Sequence, residues 1–326
     1  MRSRTATSLS CSSNDRHGTV TDLRFLVLGA AAGGGLPQWN CKCSNCAAAR
    51  DPRSDLSPQT QSSLAVSVDG QNWAVFNASP DIRQQMQQSP ALHPKELRHS
   101  PVRSIVITNA DVDHIGGLLT VREKQPFELF VTSAIHDVLD ANPVFGVLDP
   151  AHVKRRTIGL GEAFFPLAGL EAYMFAVPGK VPLYLEEGEP ELGLEGEQTI
   201  GIEFLAGGKR AYYIPGCATL PDWLADRIRG ADLVFFDGTV FTDDEMITVG
   251  TGVKTGQRMG HMAISGPKGS LGRLSGLDID RVVYVHINNT NPIWRQGPER
   301  DAVEAAGLTV AYDGMEIELE RRSEQN

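Results

Sequence analysis

A chain of 326 residues with 41% hydrophobic and 21% charged side chains can bury a sizeable core, which excludes wholesale disorder, and layered α/β folds use this length for one domain. Its formal charge of -10 offers no net attraction to nucleic acid or to an anionic membrane, so a small or peptidic partner fits better. The longest apolar run, Leu23 to Ala32, is too short to span a bilayer, and the expectation is a soluble cytoplasmic protein.

Residues 1–22 are rich in Ser, Thr, Arg and Asn and carry no apolar signal region, so they read as a disordered tail with an inert Cys11, ahead of a folded domain over 23–321. The domain opens with a strand, Leu23 to Leu28, and a glycine-rich turn, Gly29 to Gly35, that brings backbone close to the sites described next. The strand candidates Ser63 to Val68 and Trp73 to Asn77 flank Asp69-Gly70, a hairpin signal. Ser79-Pro80-Asp81 reads as an N-cap and first turn of a helix reaching about Gln88.

A buried-type strand, Val102 to Thr108, runs into Asn109-Ala110-Asp111-Val112-Asp113-His114-Ile115-Gly116-Gly117 and an apolar, helix-like stretch through Val121. Next come a helix at Ser133 to Asp140, an acidic loop from Glu186 to Glu197, and a hairpin around Gly207-Gly208 that joins Ile202–Leu205 to Ala211–Ile214. After a helix near Asp222 to Arg229, the strand Leu233 to Phe236 ends at Asp237, and Arg281 to Val285 ends at His286. Three strands thus deliver an acid or a histidine at their C-terminal ends, the edge where layered α/β proteins bind ligands. Hairpins followed by helices in both halves predict two mixed sheets covered by helices, a four-layer αββα sandwich.

Of five cysteines, Cys41, Cys43 and Cys46 crowd one polar loop, which reads as a zinc site in a reducing compartment rather than as a disulfide framework. Its fourth ligand stays open among a distant histidine, a water and Asn289. Cys217 reads as a small buried side chain, Lys180 as a solvated lysine, and His17, His93, His99, His136 and His152 as surface residues.

The segment Thr108 to Gly117 resembles the His-x-His-x-Asp-His-x-Gly-Gly signature of metallo-β-lactamase-fold enzymes. Asp237 in Phe235-Phe236-Asp237-Gly238-Thr239 resembles their bridging aspartate, and His286 their final histidine; Met259-Gly260-His261-Met262 matches the histidine-bearing segment before it. Asn109 and Asp111 replace two metal-binding histidines, and Ala176 to Lys180 lacks another. These departures, with Cys41-x-Cys43-x-x-Cys46, Asn77-Ala78-Ser79-Pro80-Asp81 and His286-Ile287-Asn288-Asn289-Thr290-Asn291-Pro292, resemble the pyrroloquinoline quinone biosynthesis protein B family over about residues 23 to 320.

That resemblance implies an iron- and oxygen-dependent hydroxylase acting on the tyrosine of a Glu-Tyr unit from a precursor peptide. It places Asp113, His114 and His286 as core ligands of Fe2+, with Asp111 as a further ligand, Asp237 as a catalytic or ligating carboxylate and His261 as an acid/base group. Zn2+ belongs to the three-cysteine site. Two alternatives stand beside it: a zinc-dependent hydrolase, given the retained Asp113, His114, Asp237 and His286, and a carrier of the quinone or its precursor, given the incomplete metal motif. Pairing into a homodimer stays open. For Asp111 and Asp113 the bland reading is a helix cap, and for His261 a loop hydrogen bond.

Overall fold

Alternation along the first strand sets the layers. In β1 (Leu23–Gly29), Phe25 and Val27 enter the core between two sheets, whereas Leu26 and Leu28 enter a second core on the opposite face, the period of two that a strand imposes. The structure, a computed structural model, describes residues 22–186 and 193–321. Apart from Asp22, the expected tail with Cys11 and His17 lies outside the described residues, as does much of the acidic loop.

In chain order the further strands are β2 (Ser63–Ser67), β3 (Trp73–Phe76), β4 (Val102–Val106), β5 (Phe127–Val131), β6 (Val153–Thr157) and β7 (Ala163–Leu167). They continue with β8 (Leu170–Ala176), β9 (Ile200–Ala206), β10 (Lys209–Ile214), β11 (Leu233–Asp237), β12 (Val282–Val285), β13 (Thr309–Val310) and β14 (Glu316–Leu319). They form two 7-stranded sheets, ordered β14-β1-β2-β3-β4-β5-β6 and β13-β12-β11-β10-β9-β8-β7. Each sheet joins antiparallel strands to a parallel run, β3 to β6 in one and β10 to β13 in the other.

Aromatic rings lock the sheets face to face. Phe25 and Phe76 of the first sheet meet Phe204 of the second at centroid distances of 5.6 and 4.8 Å, and Phe25 meets Phe235 at 5.4 Å, within the range of favourable edge and tilted pairs. The helices Ile82–Gln88 and Ser133–Ala141 cover the first sheet through Ile82, Ile135 and Leu139. Asp222–Ile228 and Pro298–Ala305 contribute Leu224, Ile228 and Val303 to the core of the second. The architecture is the expected αββα sandwich.

Three expectations shift. The helix after Asn77 begins at Ile82 with Asp81 at its N-cap, not at Ser79. The Ser79 hydroxyl instead donates to Gln85 Oε1 at 3.1 Å and accepts from the Asp81 N–H at 3.3 Å. Strand β4 stops at Val106 because the Thr108 N–H and hydroxyl turn aside to Asn77 Oδ1, at 2.9 and 3.0 Å. The apolar stretch after Asp111 is a short helix, Val112–Ile115, then a 3-10 turn, Gly116–Leu119. Only glycine fits at 117, since a Cβ there would stand 2.1 Å from the Ser79 carbonyl oxygen.

Asp313, in the turn before β14, ties the loops that follow β1. Its carboxylate accepts from the N–H groups of Ala30 (2.9 Å) and Thr60 (2.7 Å) and from the Thr60 hydroxyl (2.7 Å). Burial pushes its carboxyl up to about 6 even against those donors. A folded-state value above the ordinary one stabilises the fold below that ordinary value, and the gain is lost as pH rises towards about 6. In urea unfolding, the stability difference between wild type and Asp313→Asn is therefore expected to move in the variant's favour by roughly 1–3 kcal/mol between about pH 4 and about pH 7.

Candidate metal centres

Cys43 caps the N-terminus of the helix Ser44–Arg50, its sulfur accepting from the Cys46 N–H, and this turn gathers Cys41, Cys43 and Cys46 so that their sulfurs lie within 4.8 Å of one another. Burial pushes the Cys43 thiol up to about 11, and the crowding of Cys41 and Cys46 acts in the same direction. A bound cation would remove that conflict by holding all three as thiolates. Over the cluster sits the Asn289 side chain, whose amide lies 3.3, 3.6 and 3.2 Å from the sulfurs of Cys41, Cys43 and Cys46. Among the open candidates for a fourth ligand, Asn289 is thus placed over the cluster, with its amide nitrogen donating to the three sulfurs. Asn45 fixes that loop by donating to the carbonyls of Asn289 (3.0 Å) and Asn291 (2.8 Å).

A second group forms where parallel strands end. Residues after β4 supply Asp113 and His114, and the residue after β12 is His286, in the left-handed region at φ 55°, a conformation that non-glycine residues seldom adopt outside functional sites. Asp113 Oδ2 lies 3.2 Å from His286 Nε2 and 3.7 Å from His114 Nε2. Three atoms bound to one ion at 2.0–2.2 Å stand about 3.3 Å apart, so the spacing suits a shared metal. His114 is only 1% exposed and neither ring nitrogen has a hydrogen-bond partner. Buried polar atoms are normally satisfied, and an ion at Nε2 would satisfy this one.

His286 and His261 are set from behind by Asp237, which is fully buried. Its carboxylate accepts from the N–H groups of Cys217 (2.9 Å) and Thr239 (3.0 Å), from the Thr239 hydroxyl (2.6 Å) and from His261 Nδ1 (2.7 Å). Because the Thr239 hydroxyl gives its proton to Asp237, it accepts one from His286 Nδ1 at 2.9 Å. Both imidazoles are thereby oriented through a proton on Nδ1, and the Nε2 of His286 faces the Asp113 carboxylate at 3.2 Å. Asp237, His261 and His286 also lie within metal-ligand range of one another, and the Thr239 hydroxyl contacts all three. Asp237 touches His261 directly and reaches His286 through Thr239.

Asp113, His114, Thr239, His261 and His286 line one cavity of about 340 Å³, with Gly33, Asn109, Asp111 and Lys180 on its walls. Asp111 lies outside all three ligand groups; its Oδ1 accepts from the Leu183 N–H at 3.2 Å, while burial and then the charge of Asp113 raise its carboxyl above the ordinary range. Asn109 accepts from the Asp111 N–H at 2.9 Å and so shapes the turn. The glycine turn does bring backbone to the site: a Cβ on Gly33 would stand 3.4 Å from the Asp113 carboxyl. Lys180 is not the solvated residue its sequence context suggested. Its side chain is 11% exposed and pairs with Glu186 at 2.9 Å, which Arg258 also holds at 3.1 Å. Sequence reasoning missed Thr239 as the hub, although it stands two residues after Asp237 in the segment that carried the resemblance. His93, His99, His136 and His152 are half-buried and outside this cavity, and Cys217 is buried.

The beta-lactamase superfamily domain pattern matches residues 72–287. A "Coenzyme PQQ synthesis protein B" of Rhizobium meliloti is 65% identical over 300 residues, covering 92% of this chain and 99% of the relative. The chain belongs to the coenzyme PQQ synthesis protein B family. Another relative of that name, from Ruegeria pomeroyi, is 56% identical and covered over its whole length (100%), with 91% of this chain matched. Among solved structures, the family's Zn(2+)-bound PqqB from Methylobacterium extorquens matches with a TM-score of 0.89 at 53% identity, covering 91% of this chain and 100% of that one. A diphosphatase of the PhnP family shares the fold with a TM-score of 0.65 at 19% identity, covering 92% and 98% of the two chains. No helix among the described residues is long and apolar enough to cross a membrane.

The Thr239 hub gives a direct test. Thr239→Val keeps the side-chain volume but removes the hydroxyl that orients His286, and chelator competition is expected to show roughly 10–100-fold weaker metal retention at the histidine site. Metal at the cysteine site should be unchanged.

Proposed function

We propose that the chain is an iron- and oxygen-dependent hydroxylase in coenzyme PQQ biosynthesis, adding oxygen to the tyrosine ring of a Glu-Tyr peptide. The observation that carries this reading is the convergence of two imidazoles and one carboxylate, His114, His286 and Asp113, beside an open cavity. That donor set with free positions suits ferrous iron and oxygen chemistry. The zinc-hydrolase alternative needs additional donors, yet the Asn109 side chain is engaged in its own turn and the Asp237 carboxylate already accepts four hydrogen bonds. Zinc is assigned to Cys41, Cys43 and Cys46, with Asn289 opposite, a reading supported by the zinc-bound relative from Methylobacterium extorquens. Asp111 is assigned to the site as an outer carboxylate on the cavity wall.

When bound, ferrous iron would supply the one-electron steps by which dioxygen is activated, with one oxygen atom entering the ring and the other leaving as water at the expense of two electrons from an external reductant. The protein's part is orientation and proton control. His261 donates a hydrogen bond from Nδ1 to Asp237 at 2.7 Å, which leaves Nε2 as the nitrogen able to take and return a proton at the phenol oxygen in the cavity. Asp237, held by two backbone N–H groups, keeps that imidazole in one tautomer.

Protein loaded anaerobically with ferrous iron, then given oxygen, Glu-Tyr and a two-electron reductant such as ascorbate, is expected to form a catechol product detectable by mass. His114→Ala should abolish it with the circular dichroism spectrum intact. Unchanged product from both His114→Ala and His286→Ala, or turnover of an ester with zinc alone, would sink the hydroxylase reading. His261→Ala should retain iron but lose roughly 100-fold or more in kcat, the usual contribution of a positioned acid/base group.

A further inference from the structure

The cavity has one wall built from a single segment. The helix Glu245–Val249, the turn after it and the helix Gly256–Met259 place Met246, Lys254, Met259 and His261 along its lining. His261 is anchored in the buried network at the inner end. Lys254 follows Val253, which is 91% exposed, at the outer end. The same lining holds two methionines, whose thioethers make adaptable contacts with aromatic rings.

The cations around the cavity are not equivalent. Lys180 is buried against Glu186 and the Val181 carbonyl, and Arg258 is paired with the same Glu186. Lys254 lines the cavity, is half-buried and, among the described residues, has neither hydrogen bond nor ion pair. A partly desolvated ammonium without a partner is unfavourable, and an incoming anion relieves it. The lining also carries Asp111 and Asp113, which repel an anion, so a negatively charged group entering the cavity is favoured at Lys254 and disfavoured at the acids.

We infer that Lys254 selects the substrate by binding one of its carboxylates, while Met246 and Met259 receive the aromatic ring. The identity of the ring rests on the hydroxylase reading; the anion seat does not. Lys254 does not touch the reacting atoms in this scheme, so its substitution acts on recognition more than on the chemical step. The shared chemistry is a carboxylate, and a Glu-Tyr substrate offers two, on the glutamate side chain and at the C-terminus.

The test compares Glu-Tyr, Gln-Tyr and Glu-Tyr amide as substrates of iron-loaded wild type, Lys254→Met and Lys254→Arg. Wild type should lose roughly 10–100-fold in kcat/KM on whichever neutralised peptide removes the bound carboxylate, as expected for a charge-assisted hydrogen bond. In Lys254→Met that discrimination should shrink to near one, chiefly through KM on Glu-Tyr, and Lys254→Arg should restore part of it. Discrimination that survives in Lys254→Met would overturn the inference, as would a wild type indifferent to both neutralisations. Should wild type convert none of the peptides, the hydroxylase reading fails and calorimetric titration with Glu-Phe decides the anion seat separately. Binding to wild type that is lost in Lys254→Met supports the seat, and equal binding to both, or none to wild type, removes it.

Discussion

A fully buried carboxylate must be satisfied from every side, and the way this chain satisfies Asp237 fixes the geometry of everything around it. Two backbone N–H groups, one hydroxyl and one imidazole converge on it. Removing any of these donors would strand charge in a medium of low dielectric, so each is held in place by the cost of losing it. Thr239 passes that constraint on to His286, and His261 receives it directly. The charge of one side chain thus sets two tautomers and two ring directions. Its carboxyl stays below the ordinary range although burial opposes this, because the neighbouring imidazoles and the hydroxyl outweigh burial.

The sheets make this possible through parallel pairing. β11 and β12 run side by side with Asp237 opposite Val285, so the residue following β12 arrives next to the Asp237 network. The first sheet brings Asp113 and His114 from the end of β4 across the interface. A site assembled from two sheets depends on their packing, and the Phe25, Phe76, Phe204 and Phe235 cluster is what holds them in register. Repacking that cluster would be felt at the metal ligands without touching them.

Much of this was legible in the residues themselves. Alternating apolar runs with Asp69-Gly70 and Gly207-Gly208 between them announced the hairpins, and the acids and histidines at strand ends announced the site. What the sequence concealed were the choices made by polar side chains that have several possible partners. Ser79 resembles a helix cap, but Gln85 competes for it and wins. Lys180 resembles a surface lysine, yet Glu186 draws it inward. Asp111 and Asp113 are alike in sequence context, and only the three-dimensional turn decides that one reaches His286 while the other accepts from Leu183. Local pattern predicts the backbone well; it does not rank competing hydrogen-bond partners.

The pairing of β1 with β14, Leu23 opposite Leu319, joins residues from nearly opposite ends of the chain. Contacts so distant in sequence form late, because the intervening chain must first be brought together. Asp313 lies just before that closing strand and clamps Ala30 and Thr60, the loops that lead to Gly33. During synthesis, then, the entrance to the cavity takes shape only after the last strand has docked. Loss of a few residues near position 313 would be read out at the opposite end of the sequence, in the glycine turn.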